Sequence, residues 1–397
     1  MKADNPLAEV FERNSNYWEH KKVLLCGQIP SLQLLNSLIK TEKAYVITDN
    51  YPIAQGMSAM MGIKLGNSDF EVASKRHVSV IFSDYGDERI KGHLEAVDTI
   101  VLFLNKTKSL SQKILHCLMP YINPQVQILL MGANAIGGKS GDSLVKDVAQ
   151  VFKVDTARKC TVFAASLNEG AQFKDSKALS DVKFGGLTLK QNHGLFSQGE
   201  LDRGTHLLLN AMHRDLSGMD KVADAKELED LSNADLKSLP TPKDHAAHYV
   251  LDLGCGSGII GLSLAARGYK NVICSDISAT ALNCTAANAK LNGLDLKVLA
   301  SDMLPKADDL ERASINVPGG RFNIIATNPP FHQGINRTTA QTINMIAQAK
   351  ESLTSDGVLY LVGNTALHYE DPLNEAFDNV EIIAATTKFT VFKAWNN

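Results

Sequence analysis

An internal duplication constrains the fold of this chain of 397 residues more than any other feature. A short apolar run that ends in glycine is followed by a second run that closes at Asp49, 26 residues after Val23. The same 26-residue spacing separates Val250 from Asp276, and the first run of that later copy again ends in glycine. Self-similarity of this kind indicates two related domains in tandem.

Both copies continue and close alike. Each has a third strand-like run, a helical stretch and a run that ends in glycine, and each closes with the pattern K-x-T-V-F-x-A at residues 159–165 or 388–394. The first three runs are continuous in Val, Ile and Leu, which is typical of strands covered by helices on both faces. We therefore predict an α/β fold with two Rossmann-like domains built on doubly wound parallel sheets. Their predicted extents are residues 1–170 and 186–397, joined by a polar stretch at 168–183.

The charge balance excludes a protein held to nucleic acid or membrane by bulk charge, because 40 Lys and Arg face 43 Asp and Glu for a net charge of −3. The first residues lack the apolar core of a signal peptide, and no run of about 18 apolar residues occurs. We expect a cytoplasmic protein without a membrane span. The six cysteines contain no C-x-x-C pair, so we expect reduced, buried thiols and no metal site.

Two segments of the second copy read as insertions, residues 214–247 and 306–320. The first contains no Phe, Trp or Tyr and has eight acidic residues against five basic ones. Such a composition is not expected to form a core. Residues 224–239 are compatible with a short surface helix that ends before Pro240.

A glycine-rich bend follows the first strand of the second copy. Residues 252–258 read D-L-G-C-G-S-G, and a helix is predicted directly after them at residues 259–266. The glycines of the bend, Gly254, Gly256 and Gly258, permit positive φ angles and let a ligand approach the backbone closely. A nucleotide-like ligand is expected at this bend.

Two acidic residues accompany the bend, and we expect both to contribute to cofactor binding. Asp252 opens the D-x-G-x-G motif, and Asp276 ends the next strand, where it is placed to accept both hydroxyl protons of a ribose. Residues 256–261 also satisfy G-x-G-x-x-G. By geometry alone the bend therefore suits NAD as well as S-adenosylmethionine (SAM).

A motif at the end of the fourth strand decides between these cofactors. Residues 328–331 read N-P-P-F, and the topology places Asn328 at the same edge of the sheet as Asp276. The Asn328 amide oxygen and the carbonyls held outward around Pro329 can accept the protons of an NH₂ group, while Phe331 offers a flat apolar surface. This set favours a planar substrate with a conjugated amine. Methyl transfer to such an amine needs alignment and no prior general base, which favours SAM.

Three further features are weaker signals. Asp302 follows the third strand, where an acid can accept from an adenine amino group, although it could equally cap a helix or be solvated. Residues 196–204 precede a leucine-rich helix and either fold over the cofactor or simply start that helix. His332 lies beside the site, and we expect it to orient the loop rather than move protons.

The first copy lacks this chemistry. Residues 27–30 read G-Q-I-P instead of a glycine cluster, and residues 104–107 read L-N-K-T where the N-P-P-F motif is expected. We expect this copy to bind no SAM and to hold or recognise the substrate instead. Candidate contacts are Lys106, Lys108, Lys153, Arg158 and Lys159.

Taken together, these motifs resemble RsmC, the bacterial family of 16S ribosomal RNA guanine-N2 methyltransferases. The resemblance runs over nearly the whole chain. It rests on residues 8–15 (AEVFERNS), 153–160 (KVDTARKC), 194–197 (GLFS) and 201–204 (LDRG), on the D-x-G-x-G bend, and on 328–334 (NPPFHQG). The two insertions depart from the compact family pattern.

This resemblance implies SAM-dependent methylation of a guanine exocyclic amine in 16S rRNA, within the assembled 30S subunit, by a monomer whose N-terminal methyltransferase copy is degenerate. Three alternatives have different substrates or none. A related 23S rRNA guanine-N2 methyltransferase would share the same motifs, and a protein glutamine N5-methyltransferase would usually carry Tyr in place of Phe331. An RNA-binding assembly factor without activity would explain the first copy but not the second.

Overall fold

The computed structural model describes residues 5–94, 96–195, 199–219, 226, 228–329 and 335–397, and only the backbone at 122, 124 and 335–339. The chain divides into two compact units, residues 1–178 and 179–397. Within the described residues, no helix is both long and apolar enough to cross a membrane. None of the six cysteines forms a disulfide, and five of them are buried while Cys117 is half-buried.

The first unit is built around one mixed sheet. Its described helices are α1 (Pro6–Arg13), α2 (Leu34–Ser37), α3 (Tyr51–Met60) and α4 (Lys108–Leu118). Its described strands are β1 (Lys22–Gly27), β2 (Lys43–Thr48), β3 (Glu71–Lys75), β4 (Val78–Phe82), β5 (Val97–Phe103), β6 (Ile122–Ala133), β7 (Ala149–Ala157) and β8 (Cys160–Leu167). The strand order is β3-β4-β2-β1-β5-β6-β8-β7.

The second unit opens with a small hairpin and continues into a second mixed sheet. The hairpin consists of β9 (Val182–Phe184) and β10 (Leu187–Leu189). The described helices are α5 (Arg203–Leu216), α6 (Ile259–Ala266), α7 (Ala279–Leu291), α8 (Ala307–Arg312), α9 (Ile335–Ser352) and α10 (Glu370–Ala376). The strands are β11 (Tyr249–Leu253), β12 (Asn271–Asp276), β13 (Lys297–Ala300), β14 (Phe322–Thr327), β15 (Leu353–Asn364), β16 (Asn379–Ala385) and β17 (Phe389–Trp395), in the order β13-β12-β11-β14-β15-β17-β16.

The two sheets repeat one topology, which confirms the predicted pair of Rossmann-like domains. If β3 is set aside, the order of the first sheet corresponds strand for strand to that of the second. In the second unit, β13, β12, β11, β14 and β15 are parallel, and their central members are buried on both faces, as expected for strands covered by helices. The side chains of these strands form the core of the unit together with those of the covering helices.

The sheets are mixed rather than wholly parallel, because the strand that carries K-x-T-V-F-x-A is antiparallel to both neighbours. In the second unit β17 lies between β15 and β16, and in the first β8 lies between β6 and β7. The turn between β7 and β8 is too short for a parallel crossover. It consists of Arg158 and Lys159, both at positive φ (52° and 59°), the backbone signature of a two-residue hairpin turn.

The prediction for residues 214–247 was wrong in two respects. The described part of the proposed helix at 224–239 contains only two 3₁₀ turns, Leu231–Asn233 and Leu236–Ser238. Each turn is capped by an aspartate side chain just before it, and such local hydrogen bonds compete with a continuous helix. The segment also contributes to the interior, because Leu231 and Leu236 are buried.

Candidate active site

The glycine bend starts where β11 ends, beside the end of β12. The backbone N–H groups of Gly254 and Cys255 donate to the carbonyl oxygen of Ser275, at 2.9 and 3.0 Å. Gly256 and Gly258 have φ angles of +55° and +85°, which residues with a Cβ adopt only at a cost.

The space beside each glycine differs along the bend. A Cβ at Gly254 or Gly256 would meet no described atom within 4 Å, whereas a Cβ at Gly258 would lie 2.7 Å from Cγ2 of Thr285 on α7. Gly258 therefore allows close packing of the bend on α7. Gly254 and Gly256 leave open space beside their backbone.

Asp276 closes β12 and is tied to the bend by hydrogen bonds. Its Oδ2 accepts from the backbone N–H of Gly256 at 3.0 Å, and its Oδ1 accepts from that of Ser278 at 2.9 Å. Burial raises the pKa of Asp276, and the hydrogen bonds from backbone amides act in the opposite direction. A carboxylate oxygen can accept more than one proton, so both oxygens of Asp276 retain capacity for a pair of hydroxyl groups.

Asp252 is fully buried beneath the bend. Its Oδ2 accepts from the backbone N–H of Gly261 in the first turns of α6, at 2.8 Å. Its Oδ1 has no hydrogen-bond partner among the described residues. Burial raises the pKa of Asp252 to about 7, and the nearby charge of Asp276 acts in the same direction.

Asn328 lies at the same edge of the sheet as the glycine bend. β14 is the parallel neighbour of β11, Thr327 pairs with Leu253, and the Thr327 hydroxyl donates to the Leu253 carbonyl at 2.9 Å. The residues that follow these two are Asn328 and Gly254, so adjacent strands deliver both motifs to one place. Pro329 is buried directly after Asn328.

The polar atoms of the Asn328 side chain have different surroundings. Nδ2 donates to Oδ2 of Asp202 at 2.9 Å and to Oγ1 of Thr205 at 2.7 Å. Oδ1 is buried and has no partner among the described residues. A buried carbonyl oxygen without a donor is costly, so this atom is a candidate ligand contact.

The other predicted site residues are less informative. Asp302 lies two residues past β13 and is exposed. Phe331 and His332 lie outside the described residues. Among the residues that are described, no group of three His, Cys, Asp or Glu side chains is arranged to hold a metal ion.

Three residues that the sequence reasoning did not single out complete the site. Asp202 and Thr205 hold the Asn328 amide, and Asn288 on α7 donates to the carbonyl oxygen of Ser257 in the bend at 3.0 Å. The sequence signal at Asp202 was the start of α5, where it accepts from the backbone N–H of Thr205 as an N-cap. Nothing in the sequence pointed to Asn288.

The corresponding position of the first unit is filled by a side chain. Tyr85 is buried at the ends of β1 and β2, where its hydroxyl oxygen accepts from the backbone N–H of Gly27 at 2.9 Å. The same hydroxyl lies 3.2 Å from the carbonyl oxygen of Ile47. The phenol thus lies against the backbone at the ends of β1 and β2, the strands that correspond to β11 and β12 of the second unit.

Comparison with known proteins identifies both units. Residues 8–181 match the family described as methyltransferase small domain N-terminal, and residues 225–393 match the methyltransferase small domain. The chain is 28% identical over 395 residues to the ribosomal RNA small subunit methyltransferase C of Escherichia coli strain SMS-3-5, and likewise to that of Escherichia fergusonii. Each alignment covers 99% of this chain and 97% of the relative.

The fold is shared with a solved structure, that of the T. thermophilus 16S rRNA N2 G1207 methyltransferase (RsmC) in complex with AdoMet and guanosine. The TM-score is 0.71 at 19% identity, and the match covers 99% of this chain and 92% of that one. The resemblance predicted from the motifs is thereby confirmed. Most of the chain therefore matches two domain models, the methyltransferase small domain N-terminal over residues 8–181 and the methyltransferase small domain over residues 225–393.

Proposed function

We propose that this protein is a SAM-dependent methyltransferase that modifies the exocyclic N2 amine of a guanine in 16S rRNA. The observation that carries the proposal is the buried Oδ1 of Asn328, which has no hydrogen-bond partner among the described residues and lies next to a glycine bend with open space beside it. The small subunit methyltransferase C relatives support the choice of RNA. The base named for the T. thermophilus protein, guanine 1207, is the target we propose here.

The residues of the bend fit SAM. The open space at Gly254 and Gly256 admits a ligand against the backbone, and the remaining acceptor capacity of Asp276 suits the two ribose hydroxyls. Asp302 lies two residues past β13, and we propose that its side chain accepts a hydrogen bond from the adenine amino group. Asp252 supports the bend from below through α6. When bound, SAM supplies an electrophilic methyl group.

The chemistry we assign to Asn328 is alignment of the amine. Its Oδ1 accepts one proton of the guanine NH₂ group, and the carbonyl of Asn328 or Pro329 accepts the other. This turns the nitrogen lone pair toward the methyl donor and stabilises the positive charge that develops on nitrogen. The target base must leave its stack, at a cost of a few kcal/mol, and we propose that stacking on Phe331 offsets this cost.

We assign substrate recognition to the N-terminal unit, because Tyr85 fills the place where a cofactor would contact the ends of β1 and β2. Its candidate RNA contacts remain Lys106, Lys108, Lys153, Arg158 and Lys159. Of these, Arg158 at the β7–β8 turn is paired with Glu9 at 2.8 Å. We further propose that the substrate is the assembled 30S subunit, that the enzyme acts as a monomer and that it works in the cytoplasm.

Transfer of a tritiated methyl group tests the proposal. RNA from a strain that lacks the gene is offered as bare 16S rRNA, as 30S subunits and as 50S subunits, and the labelled base is mapped. We expect label in 30S subunits at the N2 position of one guanine. Label confined to 50S subunits would favour the 23S rRNA enzyme, and label in protein would favour a glutamine methyltransferase. Either result would overturn the substrate we propose.

A further inference from the structure

The amide group of Asn328 is held in one orientation by two residues at the start of α5. An amide nitrogen has two protons, and both are engaged, one by Oδ2 of Asp202 at 2.9 Å and one by Oγ1 of Thr205 at 2.7 Å. The partners come from 126 and 123 positions earlier in the chain. No donor capacity remains on the side chain of Asn328.

The carboxylate of Asp202 sets the direction of these hydrogen bonds. The Thr205 hydroxyl also lies 3.3 Å from Oδ2 of Asp202, to which it donates its single proton. Because an ionised carboxylate only accepts, and because the threonine proton is already used, both groups can only accept from Asn328. A reversed amide would place Oδ1 against the carboxylate, where two acceptors repel each other. The nitrogen therefore faces Asp202, and Oδ1 faces away from it.

We infer that Asp202 is a positioning residue that presents Oδ1 of Asn328 to the substrate amine, with Thr205 as its partner. The inference rests on the proposed function, in which Oδ1 accepts a proton from that amine. With the amide reversed, its NH₂ group would meet the NH₂ group of the substrate, donor against donor. Asp202 touches neither substrate nor cofactor in this scheme, since it acts through Asn328.

The location of Asp202 makes it a rigid support. Its Oδ2 also accepts from the backbone N–H of Thr205 at 2.9 Å, so the same oxygen caps α5 and holds Asn328. Gly204 lies between Asp202 and Thr205 in the chain, and a Cβ at position 204 would be 3.0 Å from Oδ2 of Asp202. Thr205 is buried on the helix that follows. The acceptor is thus fixed to the first turn of α5.

An exchange of the two side chains tests the inference. In Asn328→Asp, two carboxylates face each other, and we expect kcat for 30S methylation to fall about 100-fold or more. In the double variant Asp202→Asn with Asn328→Asp, the amide nitrogen at 202 takes the place of Oδ2 and donates to the carboxylate at 328, whose other oxygen again faces the substrate. This exchange gives up the cap that Oδ2 provides to the backbone N–H of Thr205, so part of the stability of α5 is lost. We expect the double variant to regain at least about tenfold in kcat over Asn328→Asp, with the Kd for SAM within about twofold of wild type.

The remaining variants separate positioning from helix capping. Asparagine caps helices as well as aspartate does, so Asp202→Asn alone keeps α5 intact. If Asp202 served only as a cap, the exchange of the two side chains would not restore kcat. A double variant that folds but is as inactive as Asn328→Asp would therefore overturn the inference. Should the double variant fail to fold, Thr205→Val compared with Thr205→Ser decides instead. Loss of kcat in the valine variant alone supports positioning, and equal activities refute it.

A readout without catalysis distinguishes this inference from the proposed function. The thermal midpoint of Asn328→Asp at pH 8 should lie below that of wild type, and the double variant should recover part of the difference, because it removes the repulsion between the two carboxylates but gives up the cap on Thr205. If wild type methylates no RNA while this recovery is observed, the proposed substrate is wrong and the contact between Asp202 and Asn328 stands. If wild type methylates 30S subunits and neither activity nor thermal midpoint is recovered, only the inference fails.

Discussion

Asn288 donates its side-chain amide protons to the carbonyl oxygens of Ser257 and Lys190, each at 3.0 Å. Its Oδ1 accepts from the backbone N–H of Lys190 at 2.8 Å. One buried side chain on α7 therefore fixes the glycine bend and the segment after β10 at the same time. Asn292, one turn later, makes the same type of contact with Thr188 but does not contact Ser257.

This difference predicts separate effects of two alanine substitutions on the same helix. Asn288→Ala should cost roughly 1–3 kcal/mol of stability and also raise the Kd for SAM about tenfold, because the bend loses a support. Asn292→Ala should cost stability while leaving SAM affinity near wild type. Urea denaturation and calorimetric titration with SAM measure the two effects. Equal loss of affinity in both variants would contradict the role of the bond to Ser257.

Gly256 and Gly258 should respond differently to alanine. Both have positive φ, so each substitution costs about 1–2 kcal/mol in backbone strain. Gly258→Ala adds a clash with Thr285, whereas Gly256→Ala places its methyl group in open space. We expect the larger stability loss in Gly258→Ala. Gly256→Ala should instead lose SAM affinity by about tenfold or more, as measured by titration of the folded variant. A Gly256→Ala protein that binds SAM normally would place the cofactor elsewhere.

The raised pKa of Asp252 predicts that the stability of the folded protein depends on pH. Burial raises its pKa to about 7, whereas an aspartate in an unfolded chain titrates near about 4. Folding thus favours the protonated form, and the contribution of this group to stability is full below about pH 4 and lost as pH rises through about 7. Asp252→Asn stays neutral and can still accept from Gly261. We expect the two proteins to be nearly equal at pH 4, with the variant more stable at pH 8, on the order of 2–4 kcal/mol.

Urea denaturation of wild type and Asp252→Asn at pH 4.5, 6 and 8, without cofactor, measures this gap. All other titratable groups are common to both proteins, so their contributions cancel to first order in the difference between the two free energies of unfolding. A gap that stays constant over this range would show that Asp252 is ionised in the folded protein throughout.

Alanine substitutions of Asn328 and Asp276 should have separate effects, the first on turnover and the second on cofactor affinity. Asn328→Ala removes the proposed acceptor for the substrate amine, so we expect kcat to fall about 10²- to 10³-fold with the Kd for SAM near wild type. Asp276→Ala removes the proposed ribose contact and should raise that Kd by about tenfold or more. Single-turnover methylation and titration with SAM give both quantities. The assignment of roles is refuted if each variant loses turnover and affinity to the same extent.

Local sequence patterns were sufficient to predict the strands around the candidate site and the sheet edge that Asn328 and the glycine bend share. Val250 and Ile324 belong to continuous apolar runs, and a buried parallel strand leaves few alternatives for such runs. Once the strand order is that of a doubly wound sheet, the residues after Leu253 and Thr327 must be neighbours. The antiparallel direction of β17 was missed because an apolar run does not encode its orientation.

Contacts between residues that are far apart in the chain could not be predicted from local sequence patterns. Asp202 was recognisable as part of the segment 196–204 and as the start of a helix, since an N-cap is a local signal. Its bond to Asn328 was not, because that bond depends on how α5 packs. Leu231 and Leu236 lie in an acidic segment, and the average composition concealed that two leucines reach the interior. Asn288 looks like any helical asparagine until its neighbours are known.

The position of β17 has a consequence for synthesis of the protein. β17 is made after β15 and β16 but lies between them, and among the described strands β16 pairs only with β17. While a ribosome is still extending the chain through residue 388, the outer side of β15 has no partner and β16 cannot join the sheet. Completion of this unit is therefore a late event in translation, and a chain stalled before β17 would expose an aggregation-prone edge.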